Sequence, residues 1–258
     1  MKFNINYFKK ILNNPIFNRF DYIYIYSDFR YLLSQNLNNK NFVSQFLNIF
    51  LQRKKTLILP SFSYSKKKFD IKKTKSSVGF LSNYILKKKN SLRSKHPLFS
   101  YIAIGPKKNI LKNIGKSAFG ENSVHAKLLF NNCCFLHIGR DLRYGNTLVH
   151  HVEQNLNASY RFDKKFSTKV FYNNKYLEKD FKAYVRKNYS KKTDFNFNKV
   201  LKTKEMKNLI IYLNKEKNFK SLFFYPYDEF YFLLHFLYLK NNKIFIKSWR
   251  SIYLILFL

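Results

Sequence analysis

Apolar and polar residues follow two periods along the chain, and each period predicts a kind of element. Short runs rich in β-branched and aromatic residues predict strands, whereas apolar residues three and four apart predict helices. The predicted strands are residues 21–27, 56–64 with a break at Pro60, 99–104, and 133–138 ending at Gly139. The predicted helices are an amphipathic lead-in over 1–20, then 36–51, 78–89, and 146–156 with Asn146 as its cap. This alternation of strands and helices indicates a layered α/β domain.

The pattern changes after residue 156. Residues 157–190 predict a hairpin-like β insertion with Lys and Asn at its turns, and 200–240 predict a helix, a strand and a second helix. The Lys- and Ser-rich stretch 65–77 has no period and predicts a loop. The apolar residues 251–258 predict a final buried strand, with a tail that touches a membrane as the alternative. The length favours a single domain, 1–258, with a core over about 20–156 that the C-terminal half 157–258 completes.

The net charge is the most unusual feature of the composition. Lys and Arg number 49 against 14 Asp and Glu, which gives a formal net charge of +35. Aromatic residues make up 19% of the chain, which excludes bulk disorder. Either the protein holds a polyanion, or A+T-rich coding DNA has filled it with Lys, Asn, Ile, Phe and Tyr. Arg, whose planar fork suits phosphate, is scarce beside Lys, so the compositional explanation is favoured and nucleic acid is not expected as a partner.

Cysteine usage and hydropathy indicate the compartment. Cys133 and Cys134 are adjacent, an arrangement that rarely forms a disulfide, so a reducing compartment is expected. The N-terminus has no signal-peptide pattern, and the longest apolar stretch, 222–239, is interrupted by charged residues. We predict a cytoplasmic protein, and the basic and aromatic residues leave peripheral contact with the inner face of an anionic membrane open. The sequence does not specify an oligomeric state.

Several chemistries are disfavoured because their motifs are absent. The six histidines lack HExxH or paired CxxC spacing, so no metal site is expected. GxSxG, the P-loop and GxGxxG are also missing, and the small number of acids, 14, disfavours a glycosidase carboxylate pair.

The segment 139–153 is the best candidate for catalysis. A glycine-containing loop follows a predicted strand and leads into a helix, on which Thr147, His150 and Glu153 are each three residues apart and share one face. A carboxylate one turn away can orient a histidine and keep it basic, so His150 is a candidate general base. His151 points about 100° away and is the weaker candidate. On spacing alone, a solvated helix with incidental histidines is the alternative.

A second cluster lies between a predicted helix and a predicted strand. Residues 93–100, RSKHPLFS, bring Arg, Ser, Lys and His into one loop, which would suit phosphate oxygens or a polarised carbonyl. A basic turn in a basic protein is the alternative explanation.

These two segments belong to a longer series of motifs in a fixed order. The series comprises Tyr26-Ser27-Asp28, Pro60-Ser61-Phe62-Ser63-Tyr64, Phe69-Asp70, Gly79-Phe80-Leu81, Arg93 to Ser100 running on to Ala103-Ile104-Gly105-Pro106, Phe119-Gly120-Glu121-Asn122-Ser123, and Thr147 to Glu153. Tyr160-Arg161 and Tyr184-Val185-Arg186 follow. Over about residues 20–190 the chain resembles the aminoglycoside 3-N-acetyltransferase family, the antibiotic acetyltransferases unrelated to the GNAT fold.

The resemblance implies a three-layer α/β/α fold around a mixed sheet, with the β-rich insertion around 157–190. It also implies direct acetyl transfer from acetyl-CoA to an amine in a ternary complex, without a metal. His150 would be the general base, Glu153 would orient it, and Thr147 would share their catalytic face. The residues implied for the coenzyme are Ser27, Arg93, Ser94, His96 and Ser100. Those expected at the substrate are Asp28, Tyr64, Glu121 and Asp141, and neither cysteine has a role.

Two departures from the family bear on the acceptor. Tyr26 stands where the family has His, which alters hydrogen bonding near the acyl group. The charge of +35 disfavours a polycationic antibiotic and favours an anionic acceptor. We therefore expect an amino sugar on a nucleotide or lipid-phosphate carrier, as in surface-polysaccharide precursors. The alternatives are an aminoglycoside-resistance enzyme and a non-catalytic RNA- or membrane-binding derivative of the fold.

Overall fold

A mixed sheet forms the centre of the protein. The computed structural model describes residues 5–28, 39–65, 67–144, 146–172, 174–187, 194–214 and 222–247. In these ranges the strands are β1 (Tyr22–Ser27), β2 (Thr56–Pro60), β3 (Lys68–Asp70), β4 (Ser91–Arg93), β5 (Tyr101–Ile104), β6 (Cys133–Ile138), β7 (Arg161–Tyr172), β8 (Lys175–Arg186), β9 (Ile211–Tyr212) and β10 (Leu222–Pro226). Seven of them form one sheet in the order β4-β5-β2-β1-β6-β10-β9.

Strand direction divides this sheet into a parallel centre and antiparallel edges. β1 pairs in parallel with β2 on one side and with β6 on the other. β5 and β4 continue antiparallel beyond β2, and β10 and β9 continue antiparallel beyond β6. The carboxyl ends of β1, β2 and β6 therefore meet at one edge of the sheet, where ligands bind in open α/β sheets.

Helices cover both faces of the sheet. They are α1 (Ile5–Leu12), α2 (Asn39–Leu51), α3 (Phe80–Leu86), α4 (Val124–Leu128), α5 (Leu148–Asn155), α6 (Asn198–Leu201), α7 (Lys204–Leu209) and α8 (Tyr227–Lys240). Successive residues of β1 enter different cores: Tyr24 packs in the core with α4, α5 and α8, and Ile25 in the core with α1, α2 and α3. This period of two gives the three-layer α/β/α fold expected from the sequence.

The hairpin β7–β8 is a separate three-stranded sheet with β3. It encloses a small core of Phe69, Val170 and Phe181. The hairpin-like insertion predicted over 157–190 is therefore present. The loop predicted over 65–77 is wrong at β3, because pairing with β7 imposes extended backbone on a Lys-rich segment that has no apolar period.

Most other boundaries agree with the sequence to within a few residues. The strand predicted at 133–138 coincides with β6, and the helix predicted from 36 is described from Asn39 onward. The helix, strand and helix predicted over 200–240 correspond to α7, β10 and α8. The strand predicted at 251–258 and residues 36–38 lie outside the described residues.

No helix within the described ranges is long and apolar enough to cross a membrane.

Candidate active site

The helix α5 begins where β1 and β6 end. The Asn146 side chain accepts a hydrogen bond from the Leu148 amide at 2.9 Å, and its amide group donates to the Tyr225 hydroxyl of β10. The N-cap of α5 is Thr147 and not Asn146, so the predicted cap is wrong by one residue, but the Asn146 side chain still holds the start of the helix and ties it to the sheet. The Tyr26 hydroxyl, near the end of β1, accepts from the Thr147 amide at 3.0 Å. The first turn of α5 is therefore fixed over the carboxyl ends of the central strands.

His150 and Glu153 form a hydrogen-bonded pair on α5. Their Nδ1 and Oε2 atoms are 2.7 Å apart, the His150 side chain is 25% exposed, and Glu153 is fully buried. Since the carboxylate can only accept, Nδ1 carries the proton and donates it, which leaves Nε2 as the basic nitrogen. No hydrogen bond from the described part of the chain reaches Nε2. This is the tautomer that a general base requires.

Two residues of the following segment complete the environment of Glu153. Arg161 Nε lies 2.7 Å from Glu153 Oε2, and the Tyr160 hydroxyl donates to Oε1 at 2.9 Å. Arg161 is itself buried and also donates to the Tyr184 carbonyl. A buried carboxylate is costly unless it is paired and hydrogen-bonded, and here both oxygens have partners. The sequence-predicted pair is therefore part of a group of four residues.

The pKa values of the pair shift in a direction that suits catalysis. Burial lowers the pKa of His150, and the positive charge of Arg161 lowers it further against the opposing effect of Glu153. Burial alone would raise the pKa of Glu153, but the hydrogen bond from His150 and the charges of His150 and Arg161 outweigh it and lower that pKa. Near neutral pH the imidazole is therefore uncharged and the carboxylate is ionised.

The Thr147 hydroxyl takes part in a largely buried polar cluster. Its hydroxyl is 2.8 Å from His125 Nε2, 3.0 Å from the Tyr26 hydroxyl and 3.1 Å from the Tyr101 hydroxyl. The Tyr227 hydroxyl donates to the main-chain carbonyl of His125, so Nδ1 of His125 donates to Tyr227 and Nε2 is left to accept. Burial lowers the pKa of His125 well below its usual value, in agreement with this neutral tautomer.

Replacing Tyr26 by phenylalanine is expected to lower both stability and turnover. The change leaves the Thr147 amide in a part-buried position without its acceptor, which costs about 1–3 kcal/mol of unfolding free energy. Urea denaturation measures this loss. Turnover should also fall, because the cap that positions His150 loosens. Tyr22→Phe is the matched control, since Tyr22 lies on the same face of β1 but at the opposite end of the strand from Tyr26. Equal effects of the two substitutions would contradict the positioning of α5 by Tyr26.

The segment 93–100 begins in β4, because Arg93 pairs with Ile102 of β5, so the loop predicted here starts one residue later. Most of the polar side chains of this segment have a structural role. Arg93 Nη2 donates to the Ser61 carbonyl at 2.6 Å, and the Ser100 hydroxyl donates to the same oxygen. Ser94 accepts from the Tyr101 amide, and His96 links the Phe99 amide to the Lys182 carbonyl. All four side chains are buried. Their polar atoms hold the loop together, and their contact with a coenzyme stays a prediction.

The remaining sequence-predicted residues differ in accessibility. Ser27 is half-buried at the end of β1, and Asp28 follows it with its amide bonded to the Ile138 carbonyl. Tyr64 is 49% exposed, and Glu121 is exposed. Asp141 is 6% exposed and forms an ion pair with Arg143 at 2.5 Å. Binding of substrate by the three acids and by Tyr64 stays a prediction.

His151 has a structural environment, as its position on the helix suggests. Its Nδ1 is 2.5 Å from the Phe119 carbonyl, and its ring is buried. Phe119 in turn packs edge-on against the His150 ring, with centroids 5.2 Å apart. His151 therefore fixes the main chain of a residue that forms one wall of the His150 environment.

Sequence reasoning missed Arg140 and the tyrosine cluster. Arg140 follows β6, its guanidinium lies 5.4 Å from the Tyr26 ring centroid, and its buried Nε has no hydrogen-bond partner in the described residues. The only signal in the sequence was its place after the glycine that ends a buried strand. Tyr101 and His125 are 46 and 22 residues from Thr147 along the chain, so spacing could not reveal the cluster.

No group of three or more His, Cys, Asp or Glu side chains that could hold a metal ion occurs in the ranges described above.

Comparison with solved structures identifies the fold as that of aminoglycoside acetyltransferases. AAC-IIIb in a binary complex with CoASH matches with a TM-score of 0.75 at 13% identity, over 97% of this chain and 99% of that chain. A mutant of AAC(3)-IVa in complex with a gentamicin matches with a TM-score of 0.67 at 16% identity, over 92% and 89%. YokD from Bacillus subtilis matches with a TM-score of 0.64 at 16% identity, over 90% and 99%.

The family follows from the sequence itself. The family model described as aminoglycoside 3-N-acetyltransferase matches residues 33–218, which is most of the chain. The chain belongs to this family of acetyltransferases, for which acetyl-CoA is the co-substrate, and the resemblance noted from the motifs is confirmed. No protein among the curated sequences matches the chain.

Proposed function

We propose that the chain transfers the acetyl group of acetyl-CoA to a primary amine in a single ternary complex, with His150 as general base. The observation that carries the proposal is the hydrogen bond between His150 Nδ1 and the buried, ionised Glu153. It fixes the tautomer whose Nε2 can accept a proton. The family membership supplies the acetyl donor.

The proton and electron movements balance without a further reactant. The amine nitrogen attacks the thioester carbonyl carbon, a C–N bond forms, and the C–S bond breaks to release the coenzyme thiolate. His150 Nε2 takes the proton that the amine loses, and the resulting imidazolium returns it to the thiolate. Glu153 stabilises the imidazolium during the step, and Arg161 and Tyr160 keep Glu153 ionised and in place.

The chain carries groups that suit the coenzyme beside the same strand ends. The half-buried Ser27 ends β1, and the unpartnered Nε of Arg140 lies just beyond β6, the neighbouring strand. A cation with a free donor is suited to a phosphate oxygen of CoA. Arg140, rather than the buried Arg93, is therefore our candidate for the phosphates, and Ser27 for the nearby hydrogen bonds.

Charges near His150 favour an acceptor that is not a polycation. Glu153 is neutralised by Arg161, and Asp194 is neutralised by Arg186 at 2.6 Å with Lys247 at 3.6 Å. Arg186 also lowers the pKa of His150, so its positive charge acts at the site. Paired acids offer little attraction to several ammonium groups, and the +35 net charge repels them. The acceptor we favour is an amino sugar joined to a nucleotide or lipid-phosphate carrier.

Aminoglycosides are the second candidate acceptor class. The family name favours it, and so do the related structures in which a gentamicin or sisomicin is bound to those proteins. The two classes separate in one assay of thiol release with matched amines. UDP-linked glucosamine sugars with a free amine should turn over faster than gentamicin or sisomicin. Faster turnover of either antibiotic would contradict the proposed acceptor class and leave the acetyltransferase proposal intact.

The pH dependence of kcat/KM should reflect the lowered pKa of His150. Activity requires the neutral imidazole, so kcat/KM calculated for the unprotonated amine is constant above this pKa and decreases as the pH falls through it. Burial and Arg161 place the pKa below its usual 6.5, so the acidic limb should lie below pH 6.5. Replacing Arg186 by glutamine removes a cation and should move the limb upward. A limb at or above pH 6.5 in the wild type would contradict the assignment.

A further inference from the structure

A lysine-rich cleft lies between the outer part of the hairpin and the edge of the main sheet. Its walls come from the end of α3, the edge strand β4, the segment 111–116 and the hairpin residues 171, 172, 174 and 179–181. We define this basic cleft by its charged lining residues Lys72, Lys87, Lys88, Lys89, Lys95, Lys112, Lys116, Lys179, Arg93, Asp70 and Asp180. The residues proposed for catalysis, Thr147, His150 and Glu153, are not among its lining residues.

Composition alone does not account for the charge of the basic cleft. Apart from the buried Arg93, eight of its 23 lining residues are Lys, whereas Lys and Arg number 49 of the 258 residues in the whole chain. Its two acids are engaged within the protein: Asp70 accepts from the Lys72 and Lys73 amides, and Asp180 accepts from the Ser167 hydroxyl. The fraction of cations is thus about twice that of the whole chain at a concave surface. Like charges repel there unless a bound anion neutralises them.

The size and lining of the basic cleft indicate the kind of anion. Its volume of about 1260 Å³ exceeds the roughly 300–1,000 Å³ of pockets that take one small ligand. A concave cleft also does not fit the flat surface of a bilayer. Tyr172 is 38% exposed in the lining, with the Lys95 ammonium 3.7 Å from its ring centroid. Proteins that bind single strands use basic side chains along the phosphate backbone and exposed aromatic rings that stack on bases. The lysines and Tyr172 of the basic cleft are residues of these two kinds.

We infer that the basic cleft is a binding site for single-stranded nucleic acid, held mainly through its phosphates. The lining cations are almost all Lys, which acts as a point charge, so the binding should have little sequence preference. This function is independent of acetyl transfer. It departs from the sequence-based expectation, which disfavours nucleic acid as a partner, because lysines are clustered in the basic cleft.

The test is fluorescence anisotropy with a labelled single-stranded oligouridylate of about 12 nucleotides, within the site sizes of single-strand binding folds, at several salt concentrations. The variant Lys87→Gln/Lys89→Gln/Lys112→Gln removes three exposed cations from two segments of the basic cleft. The control Lys202→Gln/Lys204→Gln/Lys207→Gln removes three exposed cations from α7 and the residues before it. Both variants have the same net charge. The cleft variant should bind about tenfold or more weakly, with a salt slope reduced by about 0.7 for each phosphate that is no longer neutralised.

Four outcomes decide the inference. A selective loss in the cleft variant, with unchanged circular dichroism and thiol release, supports it. Equal loss in the control variant would show attraction to the overall charge and overturn it. Displacement of the oligonucleotide by saturating acetyl-CoA would also overturn it, because the cleft would then belong to the coenzyme. Tyr172→Ala should weaken binding of the oligonucleotide but not of inorganic polyphosphate. An equal change of affinity for the two ligands would overturn the inference that Tyr172 stacks on a base.

Discussion

Replacing His150 by alanine is expected to lower kcat by about 10²–10⁴-fold, the range that general base catalysis contributes. In the proposed mechanism Nε2 of His150, oriented by Glu153, is the base, so the amine would then have no group to accept its proton as nitrogen attacks the thioester. Affinity for acetyl-CoA should be unchanged, since the histidine acts in the transfer step and not in holding the donor. Thiol release and calorimetry measure the two quantities separately.

His235 supplies a control for the loss of an imidazole. It is half-buried on α8 and packs against Tyr231 with ring centroids 6.0 Å apart. His235→Ala should keep kcat within about twofold, because substitutions away from a site change little. If His150→Ala retained the same kcat as His235→Ala, His150 would not be the base.

Replacing Glu153 by glutamine is expected to lower the stability of the fold more than Tyr26→Phe does. The change leaves the buried Arg161 without its counter-ion, and breaking a buried ion pair in this way costs about 3–5 kcal/mol of unfolding free energy. Turnover should also fall, by about tenfold or more, since an amide can present its NH₂ group to His150 and favour the wrong tautomer. Urea denaturation and thiol release measure the two effects.

The loss of stability caused by Glu153→Gln should become smaller at low pH. The pKa of Glu153 is lowered in the folded protein, so its contribution is complete above the ordinary value of 4.5 and is lost as pH falls through the folded pKa. The difference in unfolding free energy between wild type and Glu153→Gln should therefore shrink below pH 4.5. The exposed Glu178 is the control, and Glu178→Gln should stay within about 0.5 kcal/mol of wild type.

A double substitution separates the contribution of Glu153 to folding from its proposed role in catalysis. Glu153→Gln/Arg161→Met removes the unpaired charge together with its partner and should recover part of the lost stability. Turnover should not recover, because nothing then stabilises the imidazolium. Recovery of both would show that Glu153 contributes only to folding.

Much of the fold could be predicted because its strands differ so clearly in period from its helices. β1 and β6 alternate between two cores, and their aromatic and β-branched residues mark them plainly. β3 could not be found in this way, since its conformation comes from pairing with β7, which is distant in the sequence. Edge and insertion strands of this kind form by pairing with a strand that is distant in the sequence, so the local residue pattern does not predict them.

The candidate site divides in the same way between local and distant contacts. His150 and Glu153 are one helical turn apart, so spacing on a helix predicts their contact. The cluster around Thr147 joins residues from β1, β5, α4 and α8, and no local pattern could predict it. In the segment 93–100 the local pattern was misleading. Its residue types suit phosphate, but their side chains are buried and hydrogen-bonded to the main chain.

The most direct test of acetyl transfer is the stoichiometry of products formed by the wild-type protein with acetyl-CoA and a panel of amines. Thiol release would be followed by absorbance and acetylated amine by mass spectrometry. We predict one acetylated amine for each thiol released, with the highest kcat/KM for an amino sugar that carries phosphate. Binding of acetyl-CoA without acetylation of any amine, or no binding at all, would contradict the assignment of acetyltransferase activity to this chain.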